Sequence, residues 1–167
     1  LVLWAMHPDV WVTAPVLVLA GLMHIIRLSR WRSALTWREP LLVSLHIGYA
    51  FVPLGMLLIA AAVLSPSILP TAGMHAWTAG AIGVMTITVM TRATLGHSGR
   101  KLKAHPVETV FLALIILSAL LRVLSGLTFS LGMLHASSTL WMAGFGLFAL
   151  RFLPVVFAPR ADEAKAQ

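Results

Sequence analysis

Leu41–Leu64, LLVSLHIGYAFVPLGMLLIAAAVL, runs 24 residues without an Asp, Glu, Lys or Arg. A helix rises about 1.5 Å per residue, so this stretch is long enough to cross a hydrocarbon layer roughly 30 Å thick. A soluble core helix of that length would carry a polar face toward water, and this one has none. The stretch therefore reads as a membrane span. Four further stretches have similar character, Val10–Leu28, Met74–Leu95, Val107–Thr128 and Ala136–Phe157. Together they predict an all-α fold, a polytopic transmembrane helical bundle of about five helices. It forms a single transmembrane domain over residues 1–167, with no internal repeat and no linker.

Composition agrees with that reading. Of 167 residues, 59% are apolar and only 10% charged, with a mean hydropathy of +0.93. About a quarter of a soluble domain is normally charged, and that surface is missing here. The absence of cysteine excludes disulfides, thiolate zinc sites, iron–sulfur clusters and cysteine nucleophiles. The net charge of +7 does not mark a nucleic-acid surface, because the basic residues flank apolar runs instead of forming a patch.

Their placement carries topological information. The first connection holds Arg27, Arg30, Arg32 and Arg38; the third is bordered by Arg92 and holds Arg100, Lys101 and Lys103. The C-terminal end carries Arg151, Arg160 and Lys165, while Ser65–Gly73, Phe129–His135 and the leader before Val10 carry neither Lys nor Arg. Every basic residue but Arg122 thus falls on alternate sides of successive helices, and so on one face. The positive-inside pattern predicts an N-terminus outside and a C-terminus in the cytoplasm. Leu1 opens inside an apolar stretch with no basic region before it, so the start does not read as a signal peptide, and the chain is expected to be a piece, or a short relative, of something longer.

Packing and boundary residues follow. Small residues at Ala76, Gly80 and Gly83, at Ser44 and Gly48, and at Ala143, Gly144 and Gly146 permit close helix approach in lipid. Pro15 and Pro53 lie inside spans and favour kinks. Trp11, Trp37, Trp77 and Trp141 fall near boundaries, as an aromatic belt requires. Asp9 after Pro8 suits the N-cap region of the first span. The tail Arg160–Gln167 is polar.

Polar side chains inside a membrane are costly and mark candidate sites. His24, His46, His97, Arg92 and Arg151 group near the basic end; His7, His75 and His135 group at the other. By helical rise, His46 lies about 8 Å and Arg151 about 9 Å deep, and Arg122 about 22 Å from the basic end. About 33 Å of helix separates His75 from His97, so they cannot share a metal. Imidazole ligates haem iron, copper and zinc. Ligation of a haem by two histidines needs equal depth on two helices. His75 with His135, and His46 with His97, meet that requirement, and a neighbouring arginine can pair with haem propionates. The plainer reading of histidines at helix ends, His24, His105, His7 and His135 among them, is wetting by lipid headgroups. Arg151 is expected to snorkel to the interface. Arg122 has less freedom to do so and reads as functional or paired. Met85 and Met90 can ligate metals but more commonly fill cores. Glu39 and Glu108 lie at span ends, so a carboxylate proton relay gains no support. Gly96-His-Ser-Gly99 reads as a tight turn, not a phosphate cradle.

The run Met74–Arg100, MHAWTAGAIGVMTITVMTRATLGHSGR, resembles the signature of the NnrS family, in which a histidine, spaced glycines and a VMTRATLGHTGR-like run occur together. Ser98 stands where the family usually has threonine, and it keeps the hydroxyl. Leu45-His-Ile-Gly-Tyr49 is similar to a second family element. The resemblance implies a bacterial inner-membrane protein with haem and copper, linked to nitric oxide metabolism and resistance to nitrosative stress. It also implies that the chain is the C-terminal part of a protein with about twice as many spans. It carries over His46, His75, Arg92, His97 and Arg100 as cofactor-binding residues, beside Arg122 and His135 from the depth reading. His46, His75 and His97 are the metal candidates. The implied partners are the lipid bilayer, nitric oxide, and the N-terminal helices of the longer protein or an oligomer, with no nucleic acid. Two other readings remain at this point: half of a transporter or permease with a His/Arg-lined path, and an assembly subunit that contacts only lipid and partners.

Overall fold

The computed structural model describes residues 2–6, 10–31, 36–65, 67–159 and 161. Expectations for His7, Pro8, Asp9, Arg32, Arg160 and Lys165 lie outside the described residues. The described residues are mostly helical, with no strand among them. The helices are α1 (Val2–Met6), α2 (Thr13–Ser29), α3 (Pro40–Leu64), α4 (Thr71–His97), α5 (Pro106–Thr128) and α6 (Leu131–Phe157). Of these, α3 to α6 are long and apolar enough to cross a membrane. The helix α2, at 17 residues, reaches only about 25 Å, a little short of the hydrocarbon thickness. The chain is thus a helical membrane bundle of four long spans with a shorter fifth apolar helix beside them.

Local sequence explains the boundaries. Pro40 and Pro106 open α3 and α5 at the first turn, where a missing N–H costs nothing. Pro15 turns out to lie in the first turn of α2, since that helix begins at Thr13 rather than Val10. It is therefore a start signal, and the expected kink has no cause there. Pro53 is buried inside α3 as expected. Between α5 and α6 the reversal takes two residues. Phe129 adopts a left-handed conformation (φ 56°), unusual without glycine, and Ser130 caps α6 by accepting a hydrogen bond from the Met133 N–H at 3.3 Å.

Successive helices run antiparallel. His24 meets Tyr49 across α2 and α3, Gly55 faces Trp77 and Gly48 faces Met85 across α3 and α4, and Ser118 meets Ser137 across α5 and α6. The core lies among α3, α4, α5 and α6, around Phe51, Ile87, Phe111 and Ile115, and a second cluster joins α2 to α3. In lipid, burial between helices gains little over burial in acyl chains, so shape fit and interhelical hydrogen bonds carry the association. Glycines supply that fit. The Phe51 ring fills the place a side chain at Gly80 would take, the Trp141 ring does so at Gly83, and the α4 backbone at Ala72 does so at Gly126. Gly146 and Ala143 meet no such neighbour and lie exposed. Trp77 and Trp141 are likewise packing residues: Trp77 stacks edge-on against Trp4 at 5.5 Å and donates to the Val52 carbonyl at 3.0 Å, and Trp141 lies 4.7 Å from the Phe145 ring. Only Trp11 and Trp37 keep the exposed boundary positions expected of a belt.

Ser118 and Ser137 tie α5 to α6 reciprocally, each hydroxyl donating to the other's backbone carbonyl at 2.7 and 2.9 Å. Interhelical hydrogen bonds in membranes average about 0.6 kcal/mol each. The S118A/S137A double variant is therefore expected to lose only about 1 kcal/mol in a reversible detergent-unfolding titration; a loss several times larger would assign these serines a role beyond the helix contact.

One expectation is reversed. Arg151 does not snorkel outward: its Nε donates to Glu108 Oε1 at 2.9 Å, and Glu108, in the first turn of α5, is 0% exposed. A carboxylate shut away from water needs a counter-charge, and Arg151, on the facing turn of α6, supplies it. Glu108 Oε2 is left without a partner.

Candidate functional site

A break in regular helix sets up the site. α4 is α-helical over Thr71–His75, π-helical over Ala76–Val84 and α-helical again over Met85–His97. Nine residues of π-helix is long for a conformation that normally appears as a single-turn bulge and often marks functional sites. The segment is built from small residues (Ala76, Ala79, Gly80, Ala81, Gly83), with Phe51 of α3 and Trp141 of α6 pressed against its glycines. Its start places His75, the residue before the break, against a cavity of about 440 Å³ among α4, α5 and α6.

α4 contributes His75 and Thr78 to this cavity, α5 contributes Ser118 and Arg122, and α6 contributes Ser137, Ser138, Trp141 and Met142. His75 also forms part of a second cavity of about 280 Å³, which it shares with Thr71, Ser125, Phe129 and Ser130 at the end of the bundle away from the basic connections. A guanidinium and an imidazole thus face one chamber, and the imidazole borders another that lies toward the aqueous end.

The serine and threonine hydroxyls around the chamber are already committed. Thr78 donates to Met74 O, Ser138 to Leu134 O, and Ser118 and Ser137 to each other's carbonyls. Arg122 makes no side-chain hydrogen bond or ion pair among the described residues. Arg122 and His75 are the charged and titratable groups that remain for a ligand, and Trp141 adds an indole N–H to the lining.

The other candidate residues lie apart. His135 is exposed and borders neither cavity, although Leu134 and Ser138 on either side of it do. Equal depth with His75 therefore does not bring them together, because one residue along a helix turns the side chain by about 100°. His46 sits in an aromatic cluster between α2 and α3. Its ring meets Trp31 edge-on at 5.4 Å, and its Nδ1 lies 2.7 Å from Leu42 O. A carbonyl can only accept, so Nδ1 is the donor in this contact. His24 bonds the Tyr49 hydroxyl at 2.7 Å in the same cluster. His97 borders a third cavity, of about 350 Å³, with Thr94, Ser98 and the C-terminal turns of α6. The structure thus gives His46 and His97 different surroundings. Arg92 and Arg100 line none of these cavities; Arg100 keeps one buried guanidinium nitrogen, Nη1, without a partner. Among the described residues no three His, Asp or Glu side chains stand close enough to hold a metal ion.

Sequence reasoning missed the Glu108–Arg151 pair and the π-helix. The first had a signal, an acid and a base at matching depth on adjacent helices. The second had only the richness of Ala and Gly after His75.

A cavity of this size falls in the range of small-molecule and cofactor sites. One imidazole beside one guanidinium suits a ligand that carries an anionic group. It does not suit a metal that needs three side chains. No curated protein and no solved structure matches this chain. A family model described as NnrS protein matches residues 1–160, nearly the whole chain, and on that match the chain belongs to the NnrS family.

Proposed function

We propose that this chain is a haem-binding membrane protein of the nitric oxide response, with its haem site at the His75 cavity. The supporting observation is the placement of His75 and Arg122 in one chamber at a helical irregularity within the bundle. His75 would ligate the iron through its imidazole, and Arg122 would pair with a propionate. Held there, haem would supply the iron chemistry needed to take up nitric oxide. The chain's own part is to hold and enclose. Trp141 and Met142 line the chamber with apolar surface, and Arg122 and His75 are the charged and titratable groups that would orient a ligand. Copper, the other metal the resemblance implies, meets only single imidazoles at His46 and His97, so its further donors would come from outside the described residues.

The basic connections and the positive-inside pattern support a cytoplasmic location for the basic end, in a bacterial inner membrane. The His75 cavity would then open toward the outer side, in the half of the bundle where α5 turns into α6.

The test is a pyridine haemochrome assay with iron and copper analysis on purified protein, followed by a nitric oxide titration of the visible spectrum. The expected result is a Soret band that shifts with nitric oxide, is lost in His75→Ala and persists in His135→Ala. Protein from haem-replete cells that carries neither iron nor copper would overturn the proposal, and so would a His75→Ala variant with full haem content.

A further inference from the structure

We infer that the chamber between α4, α5 and α6 is an anion site, with Arg122 as its fixed counter-charge and an oxyanion or carboxylate as its ligand. An unpaired guanidinium inside a membrane is costly. Arg122 is half-buried and sits six residues before the end of a membrane-spanning helix, about 9 Å from that end. It borders the chamber and makes no ion pair among the described residues.

Protein carboxylates offer no relief within the described part of the chain. Glu108 lies 14 residues earlier on the same helix (122 − 108), so about 21 Å away, and it is taken by Arg151. Glu39 is exposed just before α3, at the basic end. An uncompensated charge inside a bundle is costly, so the state with an anion beside Arg122 is the favoured one.

The chamber's hydrogen-bonding character selects the same ligand. Its Ser and Thr protons are already given to backbone carbonyls, so the remaining donors are the guanidinium, the His75 imidazole and the Trp141 indole N–H, a set that suits an acceptor. A planar guanidinium matches two oxygens of one group in a fork, which favours a carboxylate or a small oxyanion over a spherical halide. A second cavity, toward the end of the bundle, also borders His75.

Two sources share this chemistry: a propionate arm of a bound cofactor and a free anion of nitrite size. Only the first rests on the haem proposal. The experiment uses the purified chain, in lipid nanodiscs, at constant ionic strength with chloride, a spherical ion the fork does not match, as the sole background anion. Formate or nitrite is titrated, and thermal unfolding is followed through the tryptophans.

The wild type should gain stability saturably with formate or nitrite. Arg122→Gln should not respond, and Arg122→Lys should respond with affinity weaker by about tenfold, through loss of the fork. A reversal of rank is also expected. In chloride alone Arg122→Gln should melt higher than wild type, because it lacks the poorly compensated charge; at saturating formate the order should invert. If haem-loaded protein has lost the response that haem-free protein shows, the anion is the propionate; if both respond, it is free. A response in protein that never binds haem would support the anion site and defeat the haem reading. An equal response in wild type and Arg122→Gln, or none in either, would overturn the anion site, as would haem affinity unchanged by Arg122→Gln together with no formate effect.

Discussion

Arg151→Met is expected to destabilise the bundle by about 3–5 kcal/mol, the cost of stripping the partner from a buried charge. Glu108 has no water to fall back on, being 0% exposed, and its second oxygen already lacks a partner. The substitution keeps much of the side-chain volume, so the loss reads the charge and not a void. Glu108→Gln together with Arg151→Met should recover most of the loss, since neither charge then remains. Unfolding in mixed micelles measures both, and a single variant within about 1 kcal/mol of wild type would mean that lipid headgroups or water compensate Glu108.

Phe111→Ala should be nearly as costly. The ring is fully buried and stands edge-on to Phe148 at 5.6 Å and to Phe152 at 6.3 Å, knitting α5 to α6 one turn from the ion pair. In water such truncations cost about 3–5 kcal/mol. In a bilayer the transfer part shrinks, because lipid tails are as apolar as the core. The cavity and lost contacts remain, and about 2–3 kcal/mol is expected on that basis. The Arg151 guanidinium lies 5.6 Å from the Phe152 ring, so the two substitutions share a neighbour and should be less than additive in a double-mutant cycle. Strict additivity would show that ring cluster and ion pair act independently.

The spans were legible because a bilayer asks for little besides length and lack of charge, and Leu41–Leu64 satisfies both on sight. Depth was legible for the same reason: a fixed rise places His75 and Arg122 in the same half of the bundle, and one chamber holds them. Azimuth was not. The helices are apolar on every face, so no polar stripe shows which side turns inward, and His135 could be placed at the right height but not the right angle. Arg151 was hidden similarly: whether a long basic side chain reaches the headgroups or a neighbour depends on Glu108 of α5, which faces it only after the helices pack. The π-helix at Ala76–Val84 depends on Phe51 and Trp141 filling the glycine positions from two other helices, information that lies far away in the chain.

The cost of the buried charges depends on α3 to α6 crossing a bilayer, with the basic connections all on one side. The chain lacks cysteine, so single cysteines can be introduced on a silent background. In sealed right-side-out vesicles, an impermeant maleimide should label Ser67→Cys and Phe129→Cys, in the connections without Lys or Arg. Trp37→Cys and Lys101→Cys should label only after the membrane is opened. Labelling of Lys101→Cys and Ser67→Cys from the same side would contradict the crossing of α4, and with it the placement of His75 and Arg122 inside the membrane.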